Sequence, residues 1–236
     1  MQRPGVERVS TFGRNCSIRL MAERDISGVE EIYREAFPTS LPLPPFVNEL
    51  RSSDTAFLVA YQGNGNQFSE SLTSPKRRLS IKSLMPAPRM LTSIKTAFSR
   101  ALKNDRLVRS SILGFVAISL IDESAHITSI ASHIRFRGMG IGELLLIGAV
   151  EVALFKRLSY VTLEVRVSNE IAQSLYRKYG FKEIGIRRRY YLDNGEDALI
   201  MTTDLITTPF HKCSFSNLIK RHELRWGISV RKLESP

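Results

Sequence analysis

Arg137-Gly138-Met139-Gly140-Ile141-Gly142 is the stretch of this chain whose residue types and spacing speak most directly of chemistry. Three alternate glycines let backbone N–H groups crowd around an anion, and Arg137 adds a cation with fork geometry. A helical run, Glu143–Arg157, follows, and its N-terminus supplies unpaired donors and a partial positive charge. The pattern predicts a pyrophosphate cradle. A dinucleotide-binding turn would also place an acid, here Glu164, at the end of the next strand. Its third glycine, however, would fall at Glu143 or Leu145, so that spacing fails. A purely structural turn has little need of three glycines and a leading arginine.

Alternating apolar residues predict a strand over His126–Ser132 before the turn and another over Tyr160–Val165 after the helix. Upstream, Ser17–Met21, Thr55–Tyr61 and Ile112–Ile121 read as strands, with Asp122-Glu123 as a turn. A helix from Asp25, its expected N-cap, to about Phe37 carries Ile26, Val29, Ile32, Tyr33 and Ala36 on one face. Pro38, Pro42, Pro44 and Pro45 break the chain before a short helix, Phe46–Arg51. Downstream, Asn169–Tyr179 is a short helix ended by Gly180. Phe181–Tyr191 and Ala198–Asp204 pair as a hairpin across Asp193-Asn194-Gly195. The fold class is α/β with a mixed sheet.

The 236 residues are 43% hydrophobic, enough for one well-cored domain. The net charge of +11 is unevenly spread: residues 1–22 carry +3, 63–111 carry +8 and 206–236 carry +4. Residues 23–62 carry −4 and 112–205 are neutral, so the basicity belongs to additions around a catalytic body. No apolar run reaches the ~20 residues of a membrane span, and no signal-peptide core is present. Cys16 and Cys213 have no metal-ligand spacing and suit a reducing compartment. The four histidines show no catalytic or metal spacing, and His133, beside the cradle, reads as surface. No metal is expected.

Ile127–His133 through Arg137-Gly-Met-Gly-Ile-Gly142-Glu-Leu-Leu145 resembles motif A of the GNAT acetyltransferase superfamily. Asn169-Glu-Ile-Ala172 through Leu175-Tyr176, with Tyr179-Gly180-Phe181, resembles motif B. The Leu163-Glu164-Val165-Arg166 strand and the ending Tyr190-Tyr191…Glu196-Asp197-Ala198…Met201 are similar to the RimI type, the ribosomal-protein alanine N-acetyltransferases. The resemblance spans about 17–205. It departs from the pattern at Ser132, at Ile134 and in the insertion 63–111. It divides the chain into a basic extension 1–16, the GNAT domain 17–205 and a basic tail 206–236.

The resemblance implies a GNAT fold whose central sheet splays open, acetyl-CoA as donor, and direct attack by an amine in a ternary complex. Gly138, Met139, Gly140, Ile141 and Gly142 would offer N–H groups to the diphosphate, with Arg137 beside them. Ile130, Ala131 and Ser132 would pair with the amide-rich pantetheine arm, and an N–H near Ile130 would polarise the thioester. Glu164 would be the general base and Tyr176 the general acid, with Asn169 capping its helix near the cofactor. The bland alternatives are a salt bridge from Glu164 to Arg135 or Arg166 and a core role for Tyr176. Tyr190 and Tyr191 would line a peptide slot opposite the proline loop 37–46; on a regular strand only one of them faces it. Arg187–Arg189 reads as a solvated strand end.

The implied acceptor is a protein N-terminal α-amine, that of a ribosomal protein included. A lysine or small amine, or a non-catalytic acyl-CoA-binding, ribosome-associated module, are the alternatives. The insertion and tail admit three readings: a disordered solubilising segment, a dock for ribosome or RNA, or a helix on an anionic membrane surface, where Leu91, Ile94, Phe98 and Leu102 keep helical spacing. Trp226 would anchor such a contact or pack on the sheet. The cytoplasm, or an organelle stroma or matrix, is the expected location. Oligomeric state is not written in the sequence.

Overall fold

The computed structural model describes residues 16–39, 42–62 and 112–233. The readings of 1–15 and 63–111, with the ribosome, RNA and membrane contacts placed on the insertion, lie outside these residues. The alternating segments form β1 (Cys16–Leu20), β2 (Thr55–Gln62), β3 (Ile112–Ile121), β4 (Ser124–Ser132), β5 (Tyr160–Arg166), β6 (Phe181–Tyr191) and β7 (Glu196–Thr203), followed by β8 (Arg231–Lys232). The helices are α1 (Ile26–Ala36), α2 (Phe46–Glu49), α3 (Ile141–Phe155), α4 (Glu170–Lys178) and α5 (Pro209–Trp226).

All eight strands join one sheet in the order β6-β7-β5-β4-β3-β2-β1-β8. Neighbours run antiparallel except β4–β5 and β1–β8. A parallel pair needs a long crossover, and α3 provides it between β4 and β5. On one face α1 and α2 cover Phe57, Val59, Phe115 and Ala117. On the other, α3, α4 and α5 bury Ile18, Leu58, Val116, Leu163, Tyr176, Met201 and Phe215. Leu144, Leu145, Leu146 and Ile147 are all buried, because α3 is enclosed on successive faces rather than along one stripe. Gly148 brings it close to the sheet: a Cβ there would stand 2.5 Å from Ile18 Cδ1.

The β4–β5 ladder is short. It runs from Ser124↔Tyr160 to Ile127↔Leu163 and stops, although β4 continues to Ser132 and β5 to Arg166. On its other side β4 pairs with β3 as far as Gly114↔Ser132, with a register shift between Ala117 and Ile118. Thr128 is the extra residue of that bulge, and its Oγ1 donates to the Ala117 carbonyl. A bulge bends its strand and sharpens the twist, which turns the end of β4 away from β5. The expected splay is present at the motif-A strand.

Two local expectations change. Asp25 sits before α1 but makes no side-chain cap. Its buried carboxylate instead accepts from Arg19 at 2.6 and 2.9 Å and from the Ala22 N–H. Burial opposes its charge, yet these donors outweigh burial and hold its pKa below the ordinary carboxylate value. The segment expected to be a basic tail folds over 209–226 as α5, with Ile206 and Phe215 in the core. Thr208 caps it by accepting from the His211 N–H, Pro209 occupies the first turn, and Gly227 ends it at φ 94°. Arg231 then bonds Glu151 and Glu223, fastening the segment to α3.

Candidate active site

The glycine turn has the form of an anion cradle. Gly138 and Gly140 adopt φ of +76° and +77°, which β-carbon-bearing residues rarely reach, and α3 begins at Ile141. The first helical bond inward is Leu144 N–H to the Gly140 carbonyl. The N–H groups of Gly138 to Glu143 donate to no other described residue. A Cβ at Gly138 or Gly142 would meet nothing within 4 Å, so backbone and not side chain faces outward there. Arg137 is exposed beside them. Converging free donors, a helix N-terminus and a cation fit a diphosphate. Glu143, on the first turn, accepts from Lys178 Nζ at 2.5 Å and Tyr179 Oη at 2.8 Å. Burial opposes its charge, but these bonds hold its pKa below the usual range, so its negative charge is spent on α4.

Leading from the cradle, Thr128–Ser132 presents the edge where the β4–β5 ladder has stopped. Alternate N–H and C=O groups of that edge have no strand beside them, and Ile130, Ala131 and Ser132 lie on it. An extended, amide-bearing chain is the natural occupant.

Across the gap stands Glu164, with its side chain 6% exposed. It pairs with neither Arg135 nor Arg166. His126 Nε2–H donates to its Oε2 at 3.0 Å, and Arg187 Nη2 lies 3.3 Å from its Oε1. His126 Nδ1 stands 2.9 Å from Thr162 Oγ1 and accepts from that hydroxyl when the ring is neutral. The pairing missed in the sequence is therefore His126–Glu164. It joins residues 38 positions apart that the parallel ladder sets in adjacent strands, and only the β4–β5 register reveals it. Arg166 is engaged elsewhere, at 2.7 Å from Asp193 and 3.0 Å from Glu196. Arg187 to Arg189 are exposed, as expected of a solvated strand end, yet the Arg187 guanidinium reaches Glu164, while Arg188 pairs with Asp197 at 3.2 Å.

Tyr176 projects from α4 and is buried, its ring 5.7 Å from Phe181. Burial, then the neighbouring Tyr191, push its phenol pKa well above the ordinary value. Tyr191 is itself pushed up to about 12, chiefly by burial. Tyr190 is raised by burial and by the charge of Glu164. Alternation predicts one of these tyrosines on each face, yet their rings meet edge to face at 5.1 Å. The cause is the register break between Arg187 and Tyr191, where Arg189 takes φ +51°. Both tyrosines therefore border Glu164. Opposite them, Thr39 Oγ1 bonds Asp193 Oδ2 at 3.1 Å, tying the proline loop to the β6–β7 turn. Asn169 caps α4 by accepting from the Ala172 N–H at 3.1 Å.

His133 is half-buried; its Nδ1 accepts from the Arg135 N–H. Together with the exposed Glu31 and Glu35 it brings three ligand-type atoms within 4.8 Å of one another, though the Nδ1 lone pair is already engaged. Among the described residues no helix is long and apolar enough to cross a membrane.

The Acetyltransferase (GNAT) family profile matches residues 79–181. Over 194 residues the chain is 31% identical to an N-alpha-acetyltransferase of Sulfurisphaera tokodaii, covering 82% of this chain and 95% of that one. Over 90 residues it is 48% identical to a Bacillus subtilis protein provisionally named a bS18-alanine N-acetyltransferase; that match spans 38% of this chain and 60% of its relative. The fold superposes on Ard1 from Thermoplasma volcanium with a TM-score of 0.56 at 21% identity, over 81% of this chain and 98% of the other.

Proposed function

Because the chain belongs to the GNAT acetyltransferase family, we propose that it transfers acetyl from acetyl-CoA to the free α-amine of a protein N-terminus. The observation that carries this reading is the interrupted β4–β5 ladder: a cradle for the diphosphate at one end, an open strand edge leading from it, and a buried carboxylate across the gap. The names of the Sulfurisphaera and Bacillus relatives point to the same acceptor.

Acetyl-CoA supplies an activated thioester; the residues of the chain do the rest. Arg137 and the N–H groups of Gly138, Met139, Gly140, Ile141 and Gly142 hold the phosphates. The Ile130–Ser132 edge aligns the pantetheine arm, and an N–H near Ile130 polarises the carbonyl. Glu164, oriented by His126 and Arg187, takes the proton that the amine loses as its nitrogen bonds the acetyl carbon. Tyr176 donates its phenolic proton toward sulfur as the C–S bond breaks. Burial keeps that phenol protonated in the resting protein. Tyr190 and Tyr191 flank the acceptor under the loop joined by Thr39 to Asp193. An α-amine, with pKa about 7.7–8, is partly neutral before any base acts, whereas Lys at about 10.4 is not. The free Cys16, whose thiol burial pushes up to about 12, suits a reducing compartment such as the cytoplasm.

The test is acetylation of two short peptides containing one lysine, one with a free N-terminus and one with it blocked. Label on the free N-terminus alone is expected. Activity confined to the blocked peptide would overturn the α-amine assignment, and CoA binding without turnover on any protein substrate would overturn the enzyme.

A further inference from the structure

The chain has one tryptophan, and it lies on the cradle. A Cβ on Gly140 would stand 2.6–2.7 Å from Nε1, Cδ1 and Cε2 of Trp226, which places the glycine against the face of the pyrrole ring. Four residues earlier on α5, buried His222 donates from Nε2 to the Gly140 carbonyl at 3.1 Å. One turn of α5 therefore grips the backbone of the residue that starts α3 and belongs to the cradle. Gly138 and Gly142 face open space, so the cradle is open on two sides and walled by an indole on the third. The Arg225 guanidinium also lies over that indole, 4.9 Å from its centroid, and is otherwise exposed. The indole N–H has no hydrogen-bond partner among the described residues.

Resting on the acetyl-CoA reading, we infer that the last turn of α5 is part of the donor site. Trp226 sets the left-handed turn at Gly140 and carries Arg225 as a phosphate-binding residue for the nucleotide end of the cofactor. The chemistry follows from placement. The arm occupies the β4 edge, which approaches the turn from one side, so the nucleotide end leaves past it. A guanidinium stacked on an aromatic ring loses little freedom when it binds, and phosphate oxygens match its fork. The phosphate concerned is either the adenosine-side phosphate of the diphosphate or the 3′-phosphate of the ribose, and both lie beyond phosphopantetheine.

The test titrates CoA, dephospho-CoA and 4′-phosphopantetheine into the full chain, following Trp226 emission and heats of binding in parallel. CoA is expected to shift the emission saturably, with a midpoint equal to the calorimetric Kd. Arg225→Glu is expected to weaken CoA about tenfold, within the usual worth of a charge-assisted bond. If the 3′-phosphate is the ligand, dephospho-CoA will lose less than CoA; if the adenosine-side phosphate of the diphosphate is, both lose alike, and phosphopantetheine, which lacks both groups, stays within twofold. Trp226→Phe keeps a ring on Gly140 and shows, with a thermal melt, whether any loss comes from unfolding. Calorimetric binding with unchanged emission, or equal weakening of phosphopantetheine and CoA by R225E, would overturn the inference while leaving the donor reading intact. No heat with any of the three ligands would overturn the donor reading itself, and this inference with it.

Discussion

The two ends of the slot are built from opposite materials. At the cradle, anion affinity is built on backbone: free N–H groups at positive-φ glycines, braced by an indole and a neutral imidazole, with Arg137 and Arg225 added beside them. Across the splay, proton chemistry comes from side chains gathered out of three strands: His126 on β4, Glu164 on β5, Arg187 and two tyrosines on β6. Backbone donors recognise a diphosphate whatever acyl group it carries. Side-chain clusters tune one proton transfer. The first end is sensitive to shape and the second to charge, and substitutions should separate them.

The sharpest break comes at the charged end. Glu164→Gln keeps the volume and the hydrogen bond from His126 but removes the base, so kcat for a free N-terminal peptide should fall about 10²- to 10⁴-fold with the Kd for CoA unchanged. The deficit should shrink as pH passes about 8, where the α-amine deprotonates unaided. A pH-independent deficit would move Glu164 from proton transfer to structure. Gly140→Ala attacks the other end. It places a Cβ on Trp226 and forces alanine to φ +77°, costing about 1–3 kcal/mol, or some 2–10 °C in Tm for a chain of this size. CoA affinity should fall with it. Unaltered melting and binding would mean that the indole does not brace the turn.

The ends also differ in how much of them is legible in sequence. Positive-φ glycines, an apolar strand before them and a helix after them are local facts, so the cradle and the mixed sheet can be read along the chain. Glu164 and Tyr176 stand out only by resemblance to a motif. The His126 pairing needs the β4–β5 register, and the meeting of Tyr190 with Tyr191 needs a bulge that breaks alternation. Helix α5 hides for another reason. Its cap and stop are present in Thr208-Pro209 and Gly227, but Phe215 and His222 are its only fully buried residues, too few to make a clear stripe among lysines and arginines. Net charge describes such a helix as a tail, whereas Phe215 in the core and Trp226 on Gly140 make it a wall.

Tyr176→Phe should have a smaller effect than Glu164→Gln. The ring still packs against Phe181, so folding and CoA binding should persist while kcat falls about 10- to 100-fold from loss of the proton donor. Stopped-flow release of CoA, compared between thioesters of different leaving-group acidity, checks the role. A better leaving group should recover most of the loss. A uniform deficit across leaving groups would assign Tyr176 to packing.

The smallest effect concerns His222 and returns to the backbone end. Burial lowers its pKa, opposed by the bond to the Gly140 carbonyl and by the charge of Glu143, and assisted by Lys178 and Arg231. That bond fixes the proton on Nε2 and leaves a buried Nδ1 with no partner among the described residues. An imidazole whose folded pKa lies below its unfolded value binds fewer protons when folded. Stability is therefore full above about pH 6.5 and declines as pH falls from there toward the folded pKa. His222→Gln keeps a donor within reach of Gly140 and removes the titration. The wild type should lose about 1–3 °C more than the variant between pH 7 and pH 5, with His211, whose pKa burial also lowers, contributing equally to both. Parallel melting curves would show that the imidazole near the cradle is solvated in solution. The diverging curves expected here would place the cost of protonation on the contact that holds the Gly140 turn, so acid would loosen the backbone end of the slot without needing to touch Glu164.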